Sequence, residues 1–145
     1  MSVSLFRSSL TNSSGGPISA MELPAGEVHL LFPALTSDDL AAGVTTYRKV
    51  FVKNTGETKM LNSPFVWLAL PPTQGGEISI GLGSDNDADG SAVSYVSPRV
   101  FADALALPSL DPGEYQGLWI RRVIPAGTPE FIASAMQLAI RAVQS

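Results

Sequence analysis

Apolar and polar residues along this chain alternate in short runs that break at glycine, proline and Asx-rich stretches. Successive strand side chains point to opposite faces, so Tyr47 to Lys53 sets Tyr47, Phe51 and the lysine stems on one face and Val50 and Val52 on the other. Asn54-Thr55-Gly56-Glu57 then supplies a turn, with glycine where positive φ is easiest. Phe65 to Leu70 is apolar on both faces, as in a strand covered on two sides, and Pro71-Pro72 closes it. Glu77 to Leu82 alternates strictly and leads into a polar loop at Ser84 to Ser91. Leu107 to Gly113 is a turn region around Asp111-Pro112-Gly113, and Glu114 to Ile124 is the longest strand expected. Ser134 to Val143 sets Met136, Leu138 and Ile140 on one face and Gln137 and Arg141 on the other. Upstream, Glu27 to Phe32 reads as a strand stopped by Pro33. Thr36 to Gly43 reads as one helical turn, with Thr36 as N-cap, Asp38 and Asp39 in the first turn and Gly43 at the end. Residues 102–107 stay open between strand and a short helix started by Ser97-Pro98.

The 13 glycines and 11 prolines concentrate between these runs, which is how packed antiparallel sheets punctuate a chain. The pattern therefore predicts an all-β antiparallel β-sandwich, residues 18–145, with Val50, Val52, Val66, Leu68, Ile78, Ile80, Leu118, Ile120, Leu138 and Ile140 inside. Residues 1–17 stand apart as a flexible N-terminal arm. Val3, Leu5 and Phe6 lie in a short alternating stretch, followed by a small, polar segment from Ser8 to Pro17. Two readings fit: a frayed terminus, or an arm that orders only on a neighbouring subunit.

Composition sharpens the picture. One domain is expected at 145 residues, and the absence of cysteine removes disulfides, thiolate zinc sites and cysteine nucleophiles. With 9 Lys+Arg against 13 Asp+Glu, the chain lacks the basic footprint of a nucleic-acid binder. Met1 to Leu10 show no apolar core of a signal peptide, and the longest apolar run is too short to span a bilayer. A cytosol-like compartment of synthesis and no membrane partner are expected. Charged residues make up only 15%, against roughly 25% in an ordinary globular chain. The deficit points to surface covered by other subunits, homo-oligomers included; a weakly charged monomeric sandwich is the other reading.

Few residues suggest chemistry. Asp85, Asp87 and Asp89, followed by Gly90, have the D-x-D-x-D-G spacing that opens a calcium loop, but Val96 stands where a closing bidentate Glu is required. An acidic hairpin loop without bound metal is expected. His29 is the sole histidine and lies in an apolar run, so it supplies no two-histidine metal site, and no G-x-S-x-G elbow is present. Gly81-Leu82-Gly83-Ser84 is followed by neither a lysine nor a helix, which sets it apart from a phosphate-binding loop. No catalytic residue and no cofactor are expected. Arg121 and Arg122 point to opposite faces of their strand, one outward and the other near the end of the sheet. They read either as an edge defence with a local salt bridge or as contacts to a neighbouring subunit's carboxylates.

Two stretches carry a family likeness. Tyr47-Arg48-Lys49-Val50-Phe51-Val52-Lys53-Asn54-Thr55-Gly56 with Phe65-Val66-Trp67-Leu68 resembles the strand, N-T-G turn, strand opening of immunoglobulin-like sandwiches. Leu110-Asp111-Pro112-Gly113-Glu114, with Leu118 to Arg122 and Ile124-Pro125-Ala126-Gly127-Thr128, resembles the other half. Together with Leu31-Phe32-Pro33 and Gly43-x-Thr45-x-Tyr47-Arg48, the set is similar to small virion structural proteins of tailed bacteriophages. The resemblance covers most of Leu30 to Thr128. It implies an immunoglobulin-like sandwich, with a jelly roll as the alternative. As a role it implies a head decoration (cement) protein that binds the major capsid protein in the virion, or else a tail or baseplate component. A carbohydrate- or host-surface-binding module is a third class.

Overall fold

Strand alternation builds two sheets in the computed structural model, which describes residues 3–10, 15–23, 32, 36–56, 61–70, 77–98, 100–127 and 137–144. The strands are β1 (Val3–Ser8), β2 (Ile18–Leu23), β3 (Val44–Asn54), β4 (Leu61–Leu70), β5 (Glu77–Leu82), β6 (Leu105–Ala106), β7 (Tyr115–Ile124) and β8 (Gln137–Gln144). They form a five-stranded sheet in the order β2-β1-β3-β7-β5 and a three-stranded sheet in the order β6-β4-β8. Every neighbouring pair is antiparallel. The result is a mostly β, sandwich-like domain with one short α-helix among the described residues, α1 (Ser37–Ala42).

Register explains the core. Val50 lies opposite Leu118, Val52 opposite Leu5, and Ile80 opposite Ile120, so these side chains share the inner face of the larger sheet. They meet Val66 and Leu68 of β4 in one apolar cluster, with Ile140 and Leu105 half-buried against it. Eight of the ten expected core positions are thus fully buried; Ile140 sits at the margin, and the Leu138 side chain is outside the described set. Each such side chain contributes about 1.5–3 kcal/mol through removal from water, which is what sets the register.

Turn chemistry joins the two stretches that carry the family likeness. Asn54 donates from Nδ2 to the Leu110 carbonyl (2.9 Å) and accepts at Oδ1 from Gly56 N–H (2.9 Å). Its backbone exchanges bonds with Glu114 (3.0 Å) and Gly113 (2.9 Å), so the N-T-G and D-P-G-E turns lock together. Helix α1 has the expected ends. Thr36 Oγ1 accepts from Asp39 N–H (3.1 Å), Asp39 Oδ2 accepts from Thr36 N–H (3.0 Å), and Gly43 terminates the turn at φ 80°. Residues 102–107, left open by sequence, divide into the end of a 3-10 turn at Phe101–Asp103 and the short strand β6. Of the strand expected at Glu27 to Phe32, only Phe32 is among the described residues, and His29 lies outside them.

One expectation is corrected. Val3–Ser8 is not a detached arm: β1 lies inside the larger sheet, paired with β3 at five successive positions from Val3↔Asn54 to Arg7↔Val50, and with β2 on its other side. Leu5 is in the core, and Ser8 is buried. The polar segment after it does not hang free either, because Ser9 N–H bonds the Pro17 carbonyl (2.9 Å) and Leu10 N–H the Gly15 carbonyl (3.2 Å). The alternating stretch is a strand, and the polar spacer after it connects two paired strands. Residues 11–14 are outside the described set.

Candidate interaction surface

The outward faces of the two sheets differ sharply. On the larger sheet, Lys49 lies opposite Trp119, Phe51 opposite Gly117, and Trp119 opposite Gly81, all on the side away from the core. Lys49, Phe51 and Trp119 are nonetheless fully buried. The loop after β5 folds back over them. Gly83 and Gly90 lie against the indole so closely that an added Cβ would stand 2.7 Å and 2.6 Å from Trp119 ring carbons. Only glycine allows that approach without shifting the loop.

The acidic loop closes on this buried pocket. Lys49 forms an ion pair with Asp87 and donates from Nζ to the carbonyls of Gly16 (3.0 Å) and Ser84 (2.7 Å). Asp87 Oδ2 also accepts from Trp119 Nε1 (2.8 Å) and Ser84 N–H (3.2 Å), and the Asp87 carbonyl accepts from Gly16 N–H (2.8 Å). The ammonium further lies 4.7 Å from the centroid of the Phe51 ring. A buried charge costs heavily unless it is paired and fully hydrogen-bonded, and these contacts satisfy it.

Asp85, Asp87 and Asp89 therefore do not converge on a common point. Asp87 turns inward, Asp89 accepts from Ser91 N–H (2.9 Å), and Asp85 is exposed. Among the described residues, no three His, Cys, Asp or Glu side chains are grouped to hold a metal ion. Partial burial alone raises the Asp87 pKa. Hydrogen bonds from Lys49, Trp119 and Ser84, together with the lysine charge, outweigh it and hold the carboxyl below its ordinary value of 3.8. A depressed folded-state pKa gives stability that is complete above the unfolded value and is lost as pH falls through the folded one. The urea midpoint is expected to drop as pH falls below 3.8, with a shallower acid limb in Asp87→Asn. An identical limb in the variant would remove Asp87 from the acid response.

The two adjacent arginines both make contacts within the chain. Arg121 faces outward, where its Nε donates to Ser79 Oγ (3.1 Å) and its guanidinium stacks 4.5 Å above the Tyr95 ring. Arg122 faces inward, is buried, and lies 4.7 Å from the Phe32 centroid, with Arg48 on the same ring at 5.9 Å. Burial and then the Arg48 charge lower its pKa, while Asp39 counters them. The two guanidiniums lie on opposite faces, as alternation implies, and each also rests on an aromatic ring of the chain itself. Of the other interface candidates, Leu5 is core, Phe6 is half-buried beneath Lys53 (5.4 Å), and the Val3 side chain is outside the described set.

Among the described residues, no loop covers the outward face of the smaller sheet in this way. Phe65 lies opposite Arg141, which directs both away from the core along with Trp67. Phe101, from the 3-10 turn, meets Phe65 and Trp67 edge-on at 5.5 Å each, and Arg141 stacks 4.6 Å over its ring. Phe101 is 41% exposed and Val100 53%. Phe65 and Trp67 are half-buried. Aromatic rings with a stacked arginine and no lysine have the composition of protein–protein interface cores. Sequence hinted at this face through Phe65 to Leu70, apolar on both sides. Nothing local linked Phe101 and Arg141 to it.

Comparison with protein-family models, with curated proteins and with solved structures finds no match for this chain.

Proposed function

We propose that the protein is a structural component of a tailed-phage virion, a non-enzymatic head decoration protein on an immunoglobulin-like sandwich, bound to the major capsid protein. The observation that carries this reading is the contrast between the two outward faces. One is sealed by the chain's own loop over Lys49 and Trp119, while on the other no described residue gives Phe65, Trp67, Val100 and Phe101 equivalent cover. Leaving an aromatic face in water forgoes about 25 cal/mol per Å² of burial, which a subunit gains on docking. The low charge content and the turn-and-strand likeness to phage virion proteins support the same reading.

The test is labelling of purified particles with an antibody against the protein, together with retention of added protein after washing. Head labelling and a loss of retention of about tenfold or more in Trp67→Ala are expected, as for an aromatic anchor at an interface. Label on the tail or baseplate moves the protein there. Absence from particles ends the virion reading.

A further inference from the structure

We infer that residues 84–92 form a lid that opens as a unit when the Asp87 carboxylate loses its charge, baring Lys49 and Trp119 to water while the sandwich stays folded. The inference is independent of what docks on the smaller sheet. Between Ser84 and Ala92 every side chain except that of Asp87 is exposed, and Gly90 brings only backbone to the indole. No residue from Gly83 to Val96 belongs to the apolar cluster between the sheets, and neither does Trp119. One side chain thus holds the lid down, through Lys49 and Trp119, with main-chain contacts gathered around it at Gly16, Ser84 and Asp87. Both ends are anchored separately and can act as hinges. Gly83 N–H bonds the Gly117 carbonyl (2.9 Å) and Gln116 Nε2 donates to the Gly83 carbonyl (2.7 Å). Beyond the lid, Ile80 and Val96 exchange two main-chain bonds (2.8 and 2.9 Å). Charge decides which state wins. Without its counter-charge the wholly buried Lys49 ammonium keeps only carbonyls, so water becomes the better partner, and lifting the lid supplies it. Asp85 and Asp89 ride on the lid, are exposed, and make no ion pair with Lys49. Tyr95 follows the lid, and burial raises its pKa, so it stays neutral in acid. Tyr47 of β3 and Arg121 of β7 stand against Tyr95, and Gly15 and Gly16 bring no titratable group. Asp87 is therefore the trigger. Its carboxyl titrates below 3.8, so the closed state holds above that value and is lost as pH falls through the folded one.

Acid titration of the full chain carrying Trp67→Phe, which leaves Trp119 as its one indole, tests this. Emission and acrylamide quenching follow Trp119, and far-UV circular dichroism follows the sheets. As pH falls below 3.8, the emission is expected to shift to the red and quenching to rise severalfold, while the β signal persists. Asp87→Asn in the same background is expected to be open already at neutral pH and to show no acid transition in quenching. The double variant Lys49→Met/Asp87→Asn removes the stranded charge together with the carboxylate. It is expected to stay closed throughout, and it keeps the test decisive if Asp87→Asn alone fails to fold. Asp89→Asn, which alters an exposed lid carboxylate, is expected to titrate like its parent. Loss of Trp119 shielding and of the β signal in a single transition overturns the inference, because no separate lid then exists. So does an indole that stays shielded until the sheets unfold, or a double variant that opens in acid as its parent does.

Discussion

Asp87→Ala is expected to destabilise the domain by about 3–5 kcal/mol, and Lys49→Met by clearly less, although each removes one half of the same ion pair. The asymmetry comes from exposure. Lys49 is wholly buried beneath the loop, so losing Asp87 strands an ammonium among Phe51 and Trp119 with only carbonyl partners. The Asp87 side chain retains 24% exposure and can turn toward water once Lys49 is gone. Methionine preserves most of the volume of the lysine stem, which leaves chiefly the unsatisfied carbonyls of Gly16 and Ser84, at about 1–3 kcal/mol for a buried acceptor. In the double variant the buried charge and its counter-charge vanish together. It is therefore expected to be more stable than Asp87→Ala alone, a positive coupling that a double-mutant cycle in urea reads directly. Equal costs for the two single variants, or strict additivity in the cycle, would show that the pair is solvated.

The strands were legible because the core is a local pattern repeated. Val50/Val52, Ile78/Ile80 and Leu118/Ile120 each announce a face by alternation, and all three meet in register, Val50 opposite Leu118 and Ile80 opposite Ile120. The helix ends were legible for the same reason, since Thr36, Asp39 and Gly43 act within one turn. The Lys49–Asp87 contact spans 38 residues and has no local signature. The acidic spacing at Asp85 to Asp89 correctly marks a loop, but nothing near it tells which carboxylate turns inward. A lysine on the same face as Tyr47 and Phe51 was the available hint, because an aromatic face with a charge at its centre implies a buried partner. The outer aromatic face was half-legible. Phe65 and Trp67 advertise two-sided burial, whereas the 3-10 turn that brings Phe101 to them is set by tertiary packing. The N-terminal strand was legible as a strand and not as a member of the sheet, since pairing of β1 with β3 joins residues about 50 positions apart.

Removal of residues 1–8 is expected to abolish cooperative folding, which is the reverse of what a dispensable arm would give. β1 occupies the second position in the order β2-β1-β3-β7-β5, so its loss detaches β2 and leaves the β3 edge unpaired from Val50 to Asn54. It also removes Leu5 from the cluster that includes Leu23, Val50 and Val52. Exposing that edge and that apolar surface together rivals the whole stability of a small domain, about 5–15 kcal/mol. A milder substitution keeps the comparison quantitative if the truncated chain aggregates. Leu5→Ala leaves every main-chain bond of β1 in place and deletes one core side chain, at an expected cost of about 2–5 kcal/mol. Phe6→Ala, on the opposite and half-exposed side of the same strand, should cost less than Leu5→Ala. Urea denaturation of these two variants and thermal melts of the truncated chain check the order. If the truncated chain melts within a few degrees of the full chain and Leu5→Ala is silent, β1 is not part of the folded sheet. A large loss in both, with the smaller effect at Phe6, fixes β1 as a central strand whose inner side chain helps hold the two sheets together.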